Sequence, residues 1–174
     1  EYKQQAAALQ TNKEKKLVTL YTTNPVQQDS YIQSAKAKGY VIVKMETLVD
    51  AAFINTMESK WEDVQFTRVD ADIADNLIDK EDKTESILNK EEEKKLKELF
   101  GLQVPNQQIK VEIKGLSADT PPVIVTRPEF MRRMKDMAAL NGAGMSWYDT
   151  MPDEIIMTVN ANHAVYQNFL HEND

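Results

Sequence analysis

Cysteine is absent from this chain, which removes disulfide staples, thiolate metal sites and a cysteine nucleophile. That absence fits a reducing cytosol, so the protein is expected to be cytoplasmic. No uninterrupted apolar run approaches the length of a membrane span, and the N-terminal residues hold no signal-peptide core, so no membrane partner is expected. Glycine-rich phosphate loops are missing as well. Neither G-x-G-x-x-G nor G-x-x-x-x-G-K-[ST] occurs, and phosphate is left without a backbone cradle. Basic residues are in deficit, 21 against 28 acids, and the net charge of −7 argues against nucleic acid. The only histidines are His163 and His171, with no carboxylate at ligand spacing beside them. His163 is expected to cap the last helix, and His171 to lie in a fraying tail. Acidic pairs such as Asp79/Asp82 lie in a charged stretch where solvent holds carboxylates near their ordinary pKa. No metal, cofactor or catalytic group is expected in this chain, and it is not expected to be an enzyme.

What is present is alternation. Residues 3–10 are good helix formers, and Leu17-Val-Thr-Leu-Tyr21 reads as a strand. Asn24-Pro25 predicts a helix start, with Gly39 stopping that helix in a left-handed cap. Tyr40-Val-Ile-Val43 predicts a second strand. Thr47-Leu-Val-Asp50 resembles a capping box that opens a helix to about Glu58, and Val64–Val69 predicts a third strand. Strands alternating with helices imply right-handed crossovers and a parallel sheet. From Asp70 to Glu98 there are eleven acids and six bases, which read as a solvated linker and a charged helix face. Few apolar residues anchor Asp70–Asn89, so a hinge is expected there. A helix over Glu91–Phe100 should end at Gly101. Gln108–Ile113, Pro122–Thr126 and Glu154–Val159 predict three further strands, and Asn160 is placed to cap a last helix through Leu170. The fold class is therefore α/β in two small modules. Residues 1–88 form a three-stranded parallel α/β unit with an acidic linker. Residues 89–174 form an α+β unit with a mixed sheet and a Met-rich amphipathic helix. The chain begins at Glu1 rather than Met and ends in a polar run, as an excised piece would.

Five of the eight methionines fall between Met131 and Met151. On the helix opened by Pro128, Phe130, Met134 and Met137 recur at i, i+4 and i+7, flanked by Met131 and Ala138, with Arg132, Arg133, Lys135 and Asp136 off that stripe. Methionine is flexible and polarizable, so the stripe either fills an irregular core against strands around Val111 and Val123 or forms a surface that accepts many partners. Both hold if Phe130 and Met134 face outward while Met131 and Ala138 face in.

The order of pieces resembles a known family. Leu20-Tyr-Thr-Thr23, Ala35-Lys-Ala-Lys-Gly-Tyr-Val-Ile-Val-Lys-Met45 and Thr47–Phe53 look like the closing α/β subdomain of the middle region of the heat-shock protein 90 chaperones. Leu116-Ser-Ala-Asp-Thr-Pro121, Val123-Ile-Val125, the methionine helix and Val159-Asn-Ala-Asn-His163 are similar to that family's C-terminal domain, most nearly in its bacterial members. The chain departs from the family pattern at Ala161, Asn162 and Gly115, and it carries an extra residue before Asp119. Asn160-Ala-Asn-His163 stands for the usual Asn-Pro-Asp-His, and Gly115 stands for a basic residue before Leu116. The resemblance implies a heat-shock and stress-response chaperone whose partners are unfolded or partly folded client proteins. It carries client contact onto Phe130 and Met134, with Met131 and Met137 joining by proximity. It also implies that ATP and Mg are bound in an N-terminal domain upstream of Glu1. Helices after Asp174 would make the full-length parent a homodimer. The alternative is a non-enzymatic adaptor or scaffold that binds one fixed protein partner whatever that partner's folding state.

Overall fold

The computed structural model describes residues 2–74, 76–78, 84–104, 109–141, 147–148 and 150–171. They form a mixed α/β fold with a parallel and a mixed three-stranded sheet, as the alternation predicted. The chain divides into two compact units. The first comprises residues 1–81 and 127–153, and the second residues 82–126 and 154–174. The methionine helix, which the sequence grouped with the second module, thus has its contacts in the first unit.

The first unit runs α1 (Tyr2–Gln10), β1 (Leu17–Thr22), α2 (Asp29–Ala37), β2 (Ile42–Lys44), α3 (Asp50–Lys60) and β3 (Val64–Arg68), with the later methionine helix added. Strand order is β2-β1-β3, all parallel, with Leu20 opposite Ile42 and Leu17 opposite Val64. All six residues of β1 are buried, because apolar clusters form on both of its sides. One cluster joins Val18 and Leu20 to Ile32 and Ala35 of α2, and the other joins Tyr21 to Ile54 of α3 and to Val64 and Phe66. The buried Gln10 amide closes the gap between strands. Its Nε2 donates to the Val18 and Val41 carbonyls, and its Oε1 accepts from Val41 N–H at 2.6 Å. Gly39 has φ +78°, the left-handed conformation expected of it.

Several sequence expectations need correction here. The helix after β1 begins at Asp29 rather than at Asn24-Pro25, where Asn24 accepts from Gln27 N–H within a preceding turn. The Thr47 box is half made: Asp50 accepts from Thr47 N–H at 2.8 Å, and α3 has no side-chain N-cap bond. The linker reading fails for its first residues. Ile73, Leu77 and Ile78 are buried, the last two in the α2-side cluster. The Asp79/Asp82 pair lies outside the described residues.

The second unit contains α4 (Lys90–Gln103), β4 (Ile109–Lys114), β5 (Val123–Thr126), β6 (Ile155–Asn160) and α6 (Ala164–His171). Strand order is β4-β6-β5, with β4 parallel and β5 antiparallel to β6. Its core joins Leu96, Val111, Val159 and Tyr166, flanked by Phe100, Val123 and Leu170. A capping box starts α4: Asn89 accepts from Glu91 and Glu92 N–H, and Glu92 accepts from Asn89 N–H. The helix runs through Gly101 to Gln103 instead of stopping at the glycine, since helical φ/ψ is open to glycine and nothing crowds it.

Asn160 does not cap α6. It is fully buried and clamps the β4–β5 connection, its Oδ1 accepting from Leu116 and Asn162 N–H while its Nδ2 donates to the Ser117 and Thr120 carbonyls. His163 takes the capping role expected of it, with Nδ1 accepting from Val165 N–H. Gly115 faces the backbone of Glu85 and Ser86 so closely that a Cβ would lie 2.5 Å from it. Any side chain at that position, basic or otherwise, would displace this segment.

Candidate functional site

The methionine helix α5 (Glu129–Asn141) carries two stripes of the same period. Phe130, Met134 and Met137 form the apolar one. Glu129, Arg132, Arg133 and Asp136, at i, i+3, i+4 and i+7, form the other, roughly a third of a turn round the helix at ~100° per residue. The charged stripe is the one that docks.

Each charged residue of that stripe has a named partner in the first unit. Glu129 accepts from the Tyr21 hydroxyl and from Arg68 N–H, the latter at 3.1 Å. Arg132 grips Asp70 with both terminal nitrogens, at 2.9 and 2.8 Å. Arg133 reaches Glu58 of α3 at 2.5 Å, donates to the Phe66 carbonyl and pairs with Glu129 one turn back. Asp136 accepts from Arg68 at 2.6 Å. The Arg68 guanidinium also sits over the Tyr21 ring, 5.4 Å from its centroid. Lys135, off both stripes, pairs with Asp153 at 2.6 Å.

Burial gives these contacts their electrostatic character. Arg68, Arg132 and Arg133 keep only 7, 11 and 12% of their side-chain surface exposed. Burial and the neighbouring Glu129 carboxylate together push the Tyr21 phenol far above its ordinary value, so it remains a neutral donor. Burial opposes the charge of Asp70, but the hydrogen bonds and charge of Arg132 win and hold its carboxyl below the ordinary range. In the same way, the Lys135 hydrogen bond keeps Asp153 low.

The sequence-predicted residues fall unevenly on this framework. Phe130 is 67% exposed, Met131, Met134 and Met137 are half-buried, and Ala138 is buried. Among the described residues, no side chain of α5 belongs to any of the three apolar clusters. Val111 and Val123, the strand positions considered as a seat for the stripe, belong to the core of the second unit. The sequence reading placed Arg132, Arg133 and Asp136 off the apolar stripe, and here they form the docked face. The signal was in the chain, as opposite charges at i, i+4 (Glu129/Arg133, Arg132/Asp136) repeating with the helix period.

The turn after β1, where α/β nucleotide sites cradle phosphate, is filled from within. Thr22 hydroxyl, Thr23 N–H and Asn24 N–H all donate to the Gln28 amide oxygen, at 2.6, 3.0 and 3.1 Å. Among the described residues, no helix is long and apolar enough to cross a membrane.

No family profile matches the chain. It is 40% identical over 164 residues to the chaperone protein HtpG of Bacteroides fragilis (strain 638R), covering 92% of this chain and 24% of that protein. To HtpG of Bacteroides thetaiotaomicron it is 39% identical over 168 residues, covering 95% of this chain and 24% of the relative. To HtpG of Porphyromonas gingivalis it is 35% identical over 173 residues, covering 98% of this chain and 25% of the relative. The chain spans about a quarter of the length of the curated relatives it matches.

Proposed function

The chain belongs to the HtpG chaperones over the quarter of their length that it spans, and from that premise we propose that α5 is a contact surface for unfolded or partly folded client proteins. Phe130 and Met134 carry the contact, and Met131 and Met137 flank it. The supporting observation is that the helix is docked by charge, which leaves Phe130 67% exposed at one end of the apolar stripe. Burying a side chain of that size is worth roughly 1.5–3 kcal/mol, a gain left for a partner to collect. Methionines beside an exposed phenylalanine adapt to varied apolar shapes, as binding to many unfolded chains requires. In this reading, ATP hydrolysis with its Mg, and dimerisation, belong to parts of the HtpG chaperones beyond the stretch this chain spans.

The test mixes the chain with an aggregating unfolded substrate and repeats the measurement with Phe130→Ser/Met134→Ser. Suppression of aggregation is expected to fall while melting stays within about 1 °C of wild type. Equal suppression by the two proteins would sink the proposal. So would a loss of several degrees in melting temperature, which would make the stripe core. Equal binding of the folded and unfolded forms of one substrate would favour the adaptor reading instead.

A further inference from the structure

We infer that the charged stripe of α5 is a releasable ionic clasp, from which the helix undocks as a unit while the parallel sheet beneath it stays folded. This inference stands independently of client contact. The clasp sets Arg68, Arg132 and Arg133 against Glu58, Asp70, Glu129 and Asp136, three cations against four carboxylates, with the Tyr21 hydroxyl between them.

Three observations argue for release. First, no α5 side chain takes part in the described apolar clusters, so the helix leaves the sheet's core intact when it departs. Second, taking charges out of water is expensive, so much of the Coulomb attraction in the docked state offsets desolvation. The undocked state recovers that hydration, and the net preference for docking is small beside the number of bonds. Third, the clasp is graded. Asp136 is 42% exposed at the side chain and, with Tyr21 and Arg68, lines a cavity of about 170 Å³, whereas Asp70 is 13% exposed. Water therefore reaches the Arg68–Asp136 pair first. The cores beneath are closed by apolar packing on both faces of β1, and α5 meets them through polar atoms, the Tyr21 hydroxyl and the Phe66 carbonyl. An element held by directional, hydratable contacts on an independently packed base is drawn from the low-stability end of a fold.

Amide exchange followed by mass spectrometry on the whole chain tests this. Asp136→Asn and, separately, Arg133→Gln are expected to speed exchange across residues 129–141 about tenfold, with β1 and β3 amides unchanged. For the wild-type chain, raising salt from ~0.1 to ~1 M shortens the screening length from about 10 to about 3 Å. Exchange in α5 alone should then rise roughly threefold or more. This arm needs no variant and remains decisive if a substitution prevents folding. As a control, Lys94→Gln removes the exposed Lys94–Glu98 pair on α4 and should leave α5 exchange unchanged. Joint acceleration of α5, β1 and β3 would overturn the inference, because the helix would then open only with the sheet. A wild-type α5 indifferent to salt would overturn it equally.

Discussion

Replacing Asn160 with alanine isolates a single side chain that carries a loop. The amide makes four side-chain hydrogen bonds, two accepted from Leu116 and Asn162 N–H and two donated to the Ser117 and Thr120 carbonyls. Asn160 is fully buried, and Leu116 is 4% exposed, so its N–H has little access to replacement water. A net ~0.5–1.5 kcal/mol per bond, with partial rehydration of the outer partners, gives a cost of about 2–4 kcal/mol. Native-state amide exchange of β4 and β6 should then speed roughly 30- to 700-fold, at tenfold per ~1.4 kcal/mol. Asn160→Asp keeps the shape and both accepted bonds, but it sets a carboxylate oxygen against two carbonyls where the amide donated. It should be at least as damaging as alanine. Acceleration below about threefold for alanine, or an aspartate variant indistinguishable from wild type, would refute the clamp.

Two glycines predict opposite signs for one substitution. Gly101 lies inside α4 with open space where a Cβ would go, so Gly101→Ala should raise urea stability by about 0.5–1 kcal/mol. Gly115→Ala would put its Cβ 2.5 Å from the Glu85 backbone and should lower stability, with faster proteolysis around residues 84–88. A pH titration tests the Asp70–Arg132 pair. Burial opposes the charge of Asp70, yet Arg132 holds its native pKa below the ordinary 3.8. Such a group binds fewer protons folded than unfolded. Its stabilising contribution is complete above that ordinary value and is lost as pH falls through the lowered native one. Arg132→Gln should flatten the wild-type loss of stability below about pH 4, measured by urea unfolding, and an unchanged slope would refute the pairing.

The parallel sheet was legible because its strands fall on or overlap short apolar runs, such as Leu17–Tyr21 and Tyr40–Val43, separated by helix-forming segments, although β2 itself runs from Ile42 to Lys44. Boundaries were less legible where a local signal had a competing use. Asn24 and Asn160 both look like helix caps. The first serves a turn and the second a loop forty residues away in sequence, and only tertiary contacts separate these uses. Gly101 failed as a stop signal because α4 is fastened by its capping box at Asn89, by Leu96 and Phe100 before the glycine and by Val104 after it, and the local cost of one glycine is small beside that packing. The segment after β3 looked like linker because its acids outnumber its bases. Three apolar residues among its described positions, Ile73, Leu77 and Ile78, are nevertheless buried.

The methionine helix shows why its docked face was not legible in the sequence. Hydrophobic periodicity assigns the inward face of a helix to its apolar stripe, and that assignment holds when the base is an apolar sheet surface. Here the base presents Arg68, Asp70, Glu58 and the Tyr21 hydroxyl, so complementary charges on α5 compete for the inward face and occupy it. Were α5 docked with its apolar stripe inward, Arg68 would stay buried without the Glu129 and Asp136 carboxylates, a larger penalty than leaving one phenylalanine in water. Avoiding that buried charge decides the rotation of the helix, and Phe130 is left outside as a consequence. Exposure of Phe130 is thus set by the charges one third of a turn away. It follows that changing Arg68 or Asp136 alters the presentation of Phe130 without touching it.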